Sequence, residues 1–524
     1  MKADSGRQSK ARQKTGSQQT TPENVKPIRA VNEQARGVKS TDAKTPSTSL
    51  TSVSWLGARV AGALIGGLIL RLWMMRAFPQ VGGDALIYGN IAKNILFHGQ
   101  FALTDGSGVI HPTLIRLPGY PLFLAGCFAI FGAGNYTAVA YLQIALELGA
   151  CLLLADFVRR IANTRAGLNT LWLATMCPFT AVYASAPLTE SLTFDMICFA
   201  LWSLERSFKP GNKSGWVSRI LASRALSLGA FTFAISFAAM LRPDGALLAI
   251  ALWPGLILVP DRKTSFARVL RTALLCGFIS IFPFAAWTAR NWSAFHIFEP
   301  LAPRYANDPG EDPHLGWQHW VKTWCLDFTC TYEVYWNAPD GPIDFGDLPT
   351  TAPNPAFDSP QQRAETANLI ADYNRNQDIT PALDARFEAL ARQRAAEHPL
   401  RTHLLLPLGR LADMTLRPRV ENLTIDLHWW EYWHHRAETR FSWVYAGLNL
   451  IFLLLGLAGF FFRPRYWPYL ATYLVLRCLL LATIEAPETR YTLEFFPILF
   501  AMGGITLWRI FRRRVPERSL PRAT

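Results

Sequence analysis

Charge is scarce in this chain. Only 17% of its 524 residues are Asp, Glu, Lys or Arg, while 50% are hydrophobic and 13% aromatic. Such a balance over this length excludes a single soluble globular protein and makes the bilayer the solvent for much of the chain. The formal net charge of +14 does not argue for nucleic acid, because the Lys and Arg residues sit in short clusters between apolar runs. That is how cytoplasmic loops of membrane proteins are marked.

Other absences narrow the class further. No internal repeat of the kind that builds many transporters is apparent. The first apolar run starts late, is as long as a full span and lacks a small-residue cleavage site, which argues against a cleaved signal peptide. His98 and His111 have no partners at metal-ligand spacing. Of eight cysteines, Cys127, Cys151, Cys177, Cys198, Cys276 and Cys478 lie in apolar runs as small hydrophobes. Cys325 and Cys330, in CLDFTC, lie in a long polar stretch, and their spacing permits a local disulfide without demanding one.

Residues 1–54 are rich in Lys, Arg, Gln, Ser and Thr with almost no aromatics, the composition of a disordered basic tail. That tail places the start of the first span, 55–75, in the cytoplasm. The loop 76–135 then emerges on the outer face. In it, Leu86, Ile87, Ile91 and Ile95 recur at helical spacing, so 84–96 is expected as a surface-lying helix. Residues 120–131 are too short to cross about 30 Å of hydrocarbon and are expected as a second interfacial helix. Spans follow at 136–157, 167–183, 188–204, 225–241, 245–259, 269–287, 441–462, 466–484 and 493–511. Clusters at Arg159, Arg160 and Arg165, at Arg206, Lys209, Lys213, Arg219 and Arg224, at Arg262, Lys263, Arg268 and Arg271, at Arg463 and Arg465, and at Arg512, Arg513 and Arg514 fall inside. The expected fold is an all-α polytopic membrane protein of about ten crossings, both termini cytoplasmic.

Its domains read as a tail 1–54, a transmembrane core 55–288, an extracytoplasmic loop region 289–440, C-terminal transmembrane helices 441–511 and a tail 512–524. The loop region begins rich in Pro, Gly, Asp and Trp, then shows helical patterning over 361–416. Residues 400–416 carry an apolar stripe suited to docking on the membrane core or lying at its surface. Trp429, Trp430, Tyr432 and Trp433 form an aromatic belt before the next span.

A topology drawn from Lys and Arg clusters alone delivers Asp84, Arg116, Glu190, Arg242, Asp244, Arg290, Glu488 and Arg490 to one face. Six of these have an ordinary structural explanation. Asp84 suits the first turn of a helix, Glu190 a cap at a hairpin tip, Arg242-Pro243-Asp244 a turn with a snorkelling arginine, and Arg490 an ion pair with Glu488. Glu147, Asp195 and Arg477 fall near the middle of spans, where isolated charge is costly, so they call for internal partners.

The ordered set GGDALIYGNIAKNIL, RLPGYPLFLAGCFAIFG, PLTESL, LRPDGALL, ARNW and PETRYTLEFFP resembles the bacterial polyprenol-phosphate-sugar-dependent glycosyltransferases of the C-type membrane fold. That group includes protein mannosyltransferases and lipid A aminoarabinose transferases. The resemblance covers about 56–298 and the last spans. It implies that Asp84 is the catalytic or catalysis-organising acid. Many relatives carry a second acid next to it; here Ala85 stands there, which favours a metal-independent site, with no cofactor expected and a divalent ion left open.

Transfer from a lipid-linked sugar phosphate needs the leaving phosphate stabilised and the acceptor hydroxyl deprotonated. Arginine's planar, permanently charged fork suits the first task, with Arg116, Arg242 and Arg490 as candidates. A carboxylate suits the second, Asp84 before Glu190. Tyr88 and Tyr120 are placed to meet the sugar, with Asp244, Arg290, Glu488 and Tyr491 as further substrate-binding candidates. The expected function is therefore transfer of a sugar from a polyprenyl-phosphate donor to an extracytoplasmic lipid, glycan or protein at the outer face of the plasma membrane. A flippase or transporter of lipid-linked sugars and a non-catalytic envelope assembly protein are the alternatives.

Overall fold

The computed structural model describes residues 48–78, 81–208, 223–259, 265–338, 341–351 and 353–512. The tail up to residue 47, the loop cations Lys209, Lys213, Arg219, Arg262 and Lys263, and the terminal Arg513 and Arg514 lie outside these residues. Residues 48–54, expected in the tail, belong to the first helix. The account below concerns the unit Val53–Thr524.

The chain is helical almost throughout. It opens with α1 (Thr48–Ala77), α2 (Asp84–His98) and a two-stranded antiparallel hairpin, β1 (Ala102–Thr104) and β2 (Ile110–Pro112). Helices α3 (Gly119–Phe131), α4 (Tyr136–Ile161), α5 (Thr164–Thr175), α6 (Pro178–Ala184) and α7 (Thr189–Phe208) follow. Next come α8 (Arg224–Leu241), a 3-10 turn at Pro243–Gly245, α9 (Ala246–Leu252), α10 (Gly255–Leu258) and α11 (Phe266–Phe295). The helices expected at 84–96 and 120–131 are present as α2 and α3. The hairpin between them was not foreseen, since three-residue strands are too short for a period to show.

Among the described residues, six helices are long and apolar enough to cross a membrane: Leu56–Ala77, Tyr136–Ile161, Arg224–Leu241, Phe266–Phe295, Arg436–Phe462 and Thr489–Arg512. The other expected crossings are also helical, but polar, short or broken. Helix α7 carries Glu190, Asp195, Glu205 and Arg206 in 20 residues. The segment expected at 167–183 is two helices, because Pro178 has no N–H to give and the residue before it, Cys177, is extended. Pro254 likewise separates α9 from α10.

The break after α5 is repaired by charge. Arg71 of α1, fully buried, donates to Thr175 O (2.7 Å) and Ala174 O (3.4 Å), carbonyls at the interrupted turn, and forms an ion pair with Glu147 of α4 at 2.9 Å. One side chain thereby satisfies orphaned backbone and a buried carboxylate at once, as an apolar surrounding requires. Asp195 is different: neither of its oxygens has a hydrogen-bond partner.

The loop region builds its own core. Helices α12 (Leu315–Lys322), α13 (Phe328–Cys330), α14 (Pro360–Asn376) and α15 (Pro381–Glu397) enclose Trp317, Trp320, Trp324, Tyr373 and Phe387. Ser359 and Thr380 cap α14 and α15, each with Pro in the first turn, the arrangement that starts a helix most cheaply. Asp384 accepts from the backbone N–H of Gly316 (2.9 Å) and Trp317 (2.8 Å), so α15 caps α12. Cys325 and Cys330 are joined in a disulfide, Cα atoms 5.7 Å apart, and Arg410 of α16 (Leu406–Leu416) donates to Cys325 O at 2.7 Å.

The apolar stripe of 400–416 divides between two tasks. Met414 packs against Leu453, Leu481, Phe495 and Leu499, docking α16 on α17 (Arg436–Phe460), α18 (Trp467–Leu481) and α19 (Phe496–Arg512). Leu400, Leu404, Leu405 and Leu408 stay exposed. In the aromatic belt Trp429 is buried and Trp433 is 78% exposed. Arg304 and Lys322 reach Glu485 at 2.7 and 2.8 Å, tying the loop region to the α18–α19 turn.

Two predictions test this architecture. Arg71→Leu leaves Glu147 buried without a counter-ion and should cost about 3–5 kcal/mol, read as a lower thermal midpoint in detergent, whereas Arg71→Leu with Glu147→Leu should recover most of it. In α16, burial pushes the Asp413 carboxyl up to about 7 although Arg417 lies 3.6 Å away. The folded state then holds a proton that the unfolded chain has already released, so stability falls as pH rises from about 4 to 7 and levels off above, by at most about 4 kcal/mol. Asp413→Asn should remove that slope; an unchanged slope in a pH series of unfolding curves would count against the assignment.

Candidate functional site

Asp84 opens α2 directly after Gly83, whose φ of 49° is a conformation that favours glycine. Its carboxylate is held from both sides: Oδ1 accepts from Arg116 Nη2 at 2.7 Å, and Oδ2 from Arg490 Nη1 at 3.0 Å. Burial alone would raise this carboxyl, but the guanidiniums of Arg490 and Arg116 override it and hold Asp84 below the usual carboxylate range. Arg116 also lies over the Tyr88 ring, 5.8 Å from its centroid, and Tyr88 meets Tyr120 edge-on at 5.0 Å.

The segment that carries Arg116 is seated by Gly119. A Cβ there would lie 2.6 Å from Met240 O, so only glycine lets the start of α3 rest on the last turn of α8. That contact sets Gly119 against Met240 and Leu241, the residues directly before Arg242. Arg242 in turn bonds Glu190 at 2.9 Å and Asp244 at 3.2 Å.

Arg490 links the two halves. It pairs with Glu488 through Nε at 2.5 Å and lies 3.8 Å from Glu190. Tyr491 donates its hydroxyl to Glu488, and its ring lies under both Arg242 (5.3 Å) and Arg490 (5.5 Å). Eight of the candidates, Asp84, Arg116, Glu190, Arg242, Asp244, Glu488, Arg490 and Tyr491, therefore form one continuous network, with Tyr88 against its edge. Tyr120 lies one ring deeper, fully buried, its hydroxyl donating to Gln143 Oε1 at 2.8 Å.

Arg290 stands apart. It donates to Thr113 O at 2.8 Å and to Phe101 O, and lies over the rings of Phe101, Trp287 and Phe295. Its place is to hold the β-hairpin loop to α11. Arg477, whose partner the sequence left open, pairs with Asp244 and with Glu494, the latter at 2.8 Å. Glu494 also accepts from the Tyr473 hydroxyl at 2.8 Å. It was passed over in the sequence because it stands at the assumed start of a span, inside the quoted PETRYTLEFFP. The rule that a charge within a span needs a partner could have found it.

Counted together, the network sets four guanidiniums (Arg116, Arg242, Arg477, Arg490) against five carboxylates (Asp84, Glu190, Asp244, Glu488, Glu494). Exposure grades through it. Asp84 (26%), Arg116 (19%) and Arg490 (19%) are the most open, whereas Glu190, Glu494 and Arg477 are buried. A polar ligand would meet the Arg116–Asp84–Arg490 triplet first. Beneath Glu190 lies a void of about 10 Å³ lined by Glu147, Tyr183 and Ser191, the Ser191 hydroxyl having no partner.

No protein-family model matches this chain, and no curated protein matches its sequence. Among solved structures it is similar to the Archaeoglobus fulgidus oligosaccharyltransferase tethered with an acceptor peptide, at 12% identity over 88% of this chain and 50% of that one, with a TM-score of 0.45. The same organism's oligosaccharyltransferase AglB in complex with an inhibitory peptide and a dolichol-phosphate is similar at 11% identity over 90% and 53%, TM-score 0.44. ArnT from Cupriavidus metallidurans bound to undecaprenyl phosphate is similar at 16% identity over 87% and 78%, TM-score 0.37. This chain spans about half the length of the archaeal enzymes. At these identities and scores the likeness assigns no role to any residue here.

One group of potential metal ligands occurs among the described residues, Asp358, Glu397 and His398 in the loop region. Asp358 already receives both ends of the Arg401 fork at 2.5 and 2.6 Å. A cation would have to displace that pair.

The coupling across the network can be measured. Arg490→Met should strand Glu488, leave Asp84 with Arg116 alone and lower the unfolding midpoint, and Arg490→Met with Glu488→Met should lose less than the two single changes summed. An interaction energy of about 1–3 kcal/mol is expected, and strict additivity would mean that the pair is not coupled.

Proposed function

We propose that this protein is a membrane glycosyltransferase that moves a sugar from a polyprenyl-phosphate donor to an acceptor hydroxyl, with its site on the outer face of the plasma membrane and both termini cytoplasmic. One observation carries the reading: an ionised carboxylate, Asp84, gripped by two partly exposed arginines from distant parts of the chain. It is joined to the resemblance of the surrounding motifs to C-type membrane glycosyltransferases.

The chemistry follows from the pairings. In the proposed step the acceptor oxygen attacks the anomeric carbon as the bond from that carbon to the phosphate oxygen breaks. The acceptor proton passes to a carboxylate, and the polyprenyl phosphate leaves with one more negative charge than it had in the sugar diester. Arg116 and Arg490 are the groups to meet that charge, since each presents a planar fork and neither loses its proton. Bound to Asp84, they make it a weak base. As they turn towards the phosphate, the carboxylate is released and becomes a better proton acceptor at the moment one is needed. Glu190, bonded to Arg242, is the second carboxylate in reach of the triplet. Tyr88 and Tyr491 offer ring faces for the sugar. To the loop region, tied to Glu485 by Arg304 and Lys322, the proposal gives the acceptor side.

Asp84→Asn keeps the size of the side chain and removes its charge. Transfer from a polyprenyl-phosphate sugar by the purified protein in detergent or nanodiscs should fall by roughly 10²-fold or more. Undiminished transfer would remove Asp84 from the chemistry. Movement of the lipid-linked sugar across vesicles without any transfer would favour a flippase instead.

A further inference from the structure

Helix α11 is the least embedded of the candidate spans. Only 17% of its most apolar window is buried, against 78% for the last span, and Phe266, Leu274, Phe278, Ile281 and Phe282 are exposed. Its nearest neighbour in the bundle is α8. The two run in the same direction, joined near their middles where Ser236 Oγ donates to Ser280 O at 2.9 Å. Pro283 lies inside α11 one turn further on, so the ladder there is already interrupted.

On the other side of that bond the helices part. A cavity of about 550 Å³ opens between them, running from Ser236 and Pro283 down to Ala225, Arg268 and Arg271. Its walls are apolar or small, among them Gly229, Thr232, Leu275 and Cys276. Among the described residues no carboxylate lines it, and the two guanidiniums at its far end, Arg268 and Arg271, are exposed and have no ion-pair partner. Arg224, which opens α8 at the same end, keeps a buried Nε without a partner.

Dimensions decide what fits. From Arg268 to Pro283 is about 22 Å of helix, about one and a half leaflets of a hydrocarbon core about 30 Å thick and so ample for one acyl chain with its headgroup at the cationic end. From Arg268 to Arg290 is about 33 Å, and Arg290 holds the loop next to the Asp84 network. The cationic mouth therefore lies a membrane's thickness away from that network and belongs to a different ligand. The geometry points to a resident anionic phospholipid of the opposite leaflet, one acyl chain filling the groove and the phosphate held by Arg268 and Arg271. Two cations at headgroup depth beside an apolar slot are complementary to that molecule and to neither a neutral lipid nor a soluble anion. The inference does not depend on the proposed transferase activity.

The test uses the full chain, delipidated in detergent and titrated with phosphatidylglycerol and, separately, phosphatidylcholine, with bound lipid counted by native mass spectrometry. Wild type should hold one phosphatidylglycerol on the order of tenfold more tightly than phosphatidylcholine. Arg268→Gln with Arg271→Gln should abolish that preference while leaving weak binding of both lipids. Gly229→Leu is the companion variant: a Cβ at Gly229 meets nothing within 4 Å, so the side chain grows into the groove without a clash, and leucine favours helix over glycine. It should remove the bound lipid of either kind while the protein stays monodisperse. Wild-type binding by both variants would place the lipid elsewhere and overturn the proposal. So would a lipid-free dimer of the wild type that Gly229→Leu dissolves, because a second copy would then be the occupant.

Discussion

The rest of the structure depends on the pairing of charge in surroundings that do not solvate it. Arg71 illustrates the constraint in its simplest form. One guanidinium neutralises Glu147 and also takes the carbonyls that the break before Pro178 leaves free. Without that pairing α1, α4 and α5 would carry unsatisfied polar groups where water is absent.

The same constraint organises the candidate site. Asp84 and Arg490 are 406 residues apart, yet their bond closes the bundle across its first loop and its last span. Around it, carboxylates and guanidiniums alternate from Arg116 to Glu494, so no charge is left alone and none is free to collapse onto the wrong partner. A phosphate can compete for a fork already oriented, and the carboxylate that loses the fork gains basicity. In the proposed reaction, stability and reactivity draw on the same bonds.

Exposure follows the same logic outward. The buried end of the network, Arg477 and Glu494, meets Tyr473 and the backbone. The open end is Asp84 and Arg116, while the loop region is anchored nearby in sequence by Arg304 and Lys322 on Glu485. A Trp-rich core and one disulfide hold that region together, although its helices are rich in polar residues.

Apolar runs and Lys/Arg clusters were enough to read the helical class, the short helices α2 and α3, and the gathering of Asp84, Glu190, Arg242, Asp244, Glu488 and Arg490 at one end of the bundle. Those features follow from composition and periodicity, which are local. What only the tertiary structure decided was who pairs with whom. Arg290 lay in the right register and turned to backbone carbonyls instead. Glu494 and Arg477 lay within spans and proved to be the inner end of the network. The breaks at Pro178 and Pro254, the groove between α8 and α11 and the partner of Glu147 belong to the same class. Each depends on contacts between segments far apart in sequence, and hydropathy, which is summed along the chain, holds no record of them.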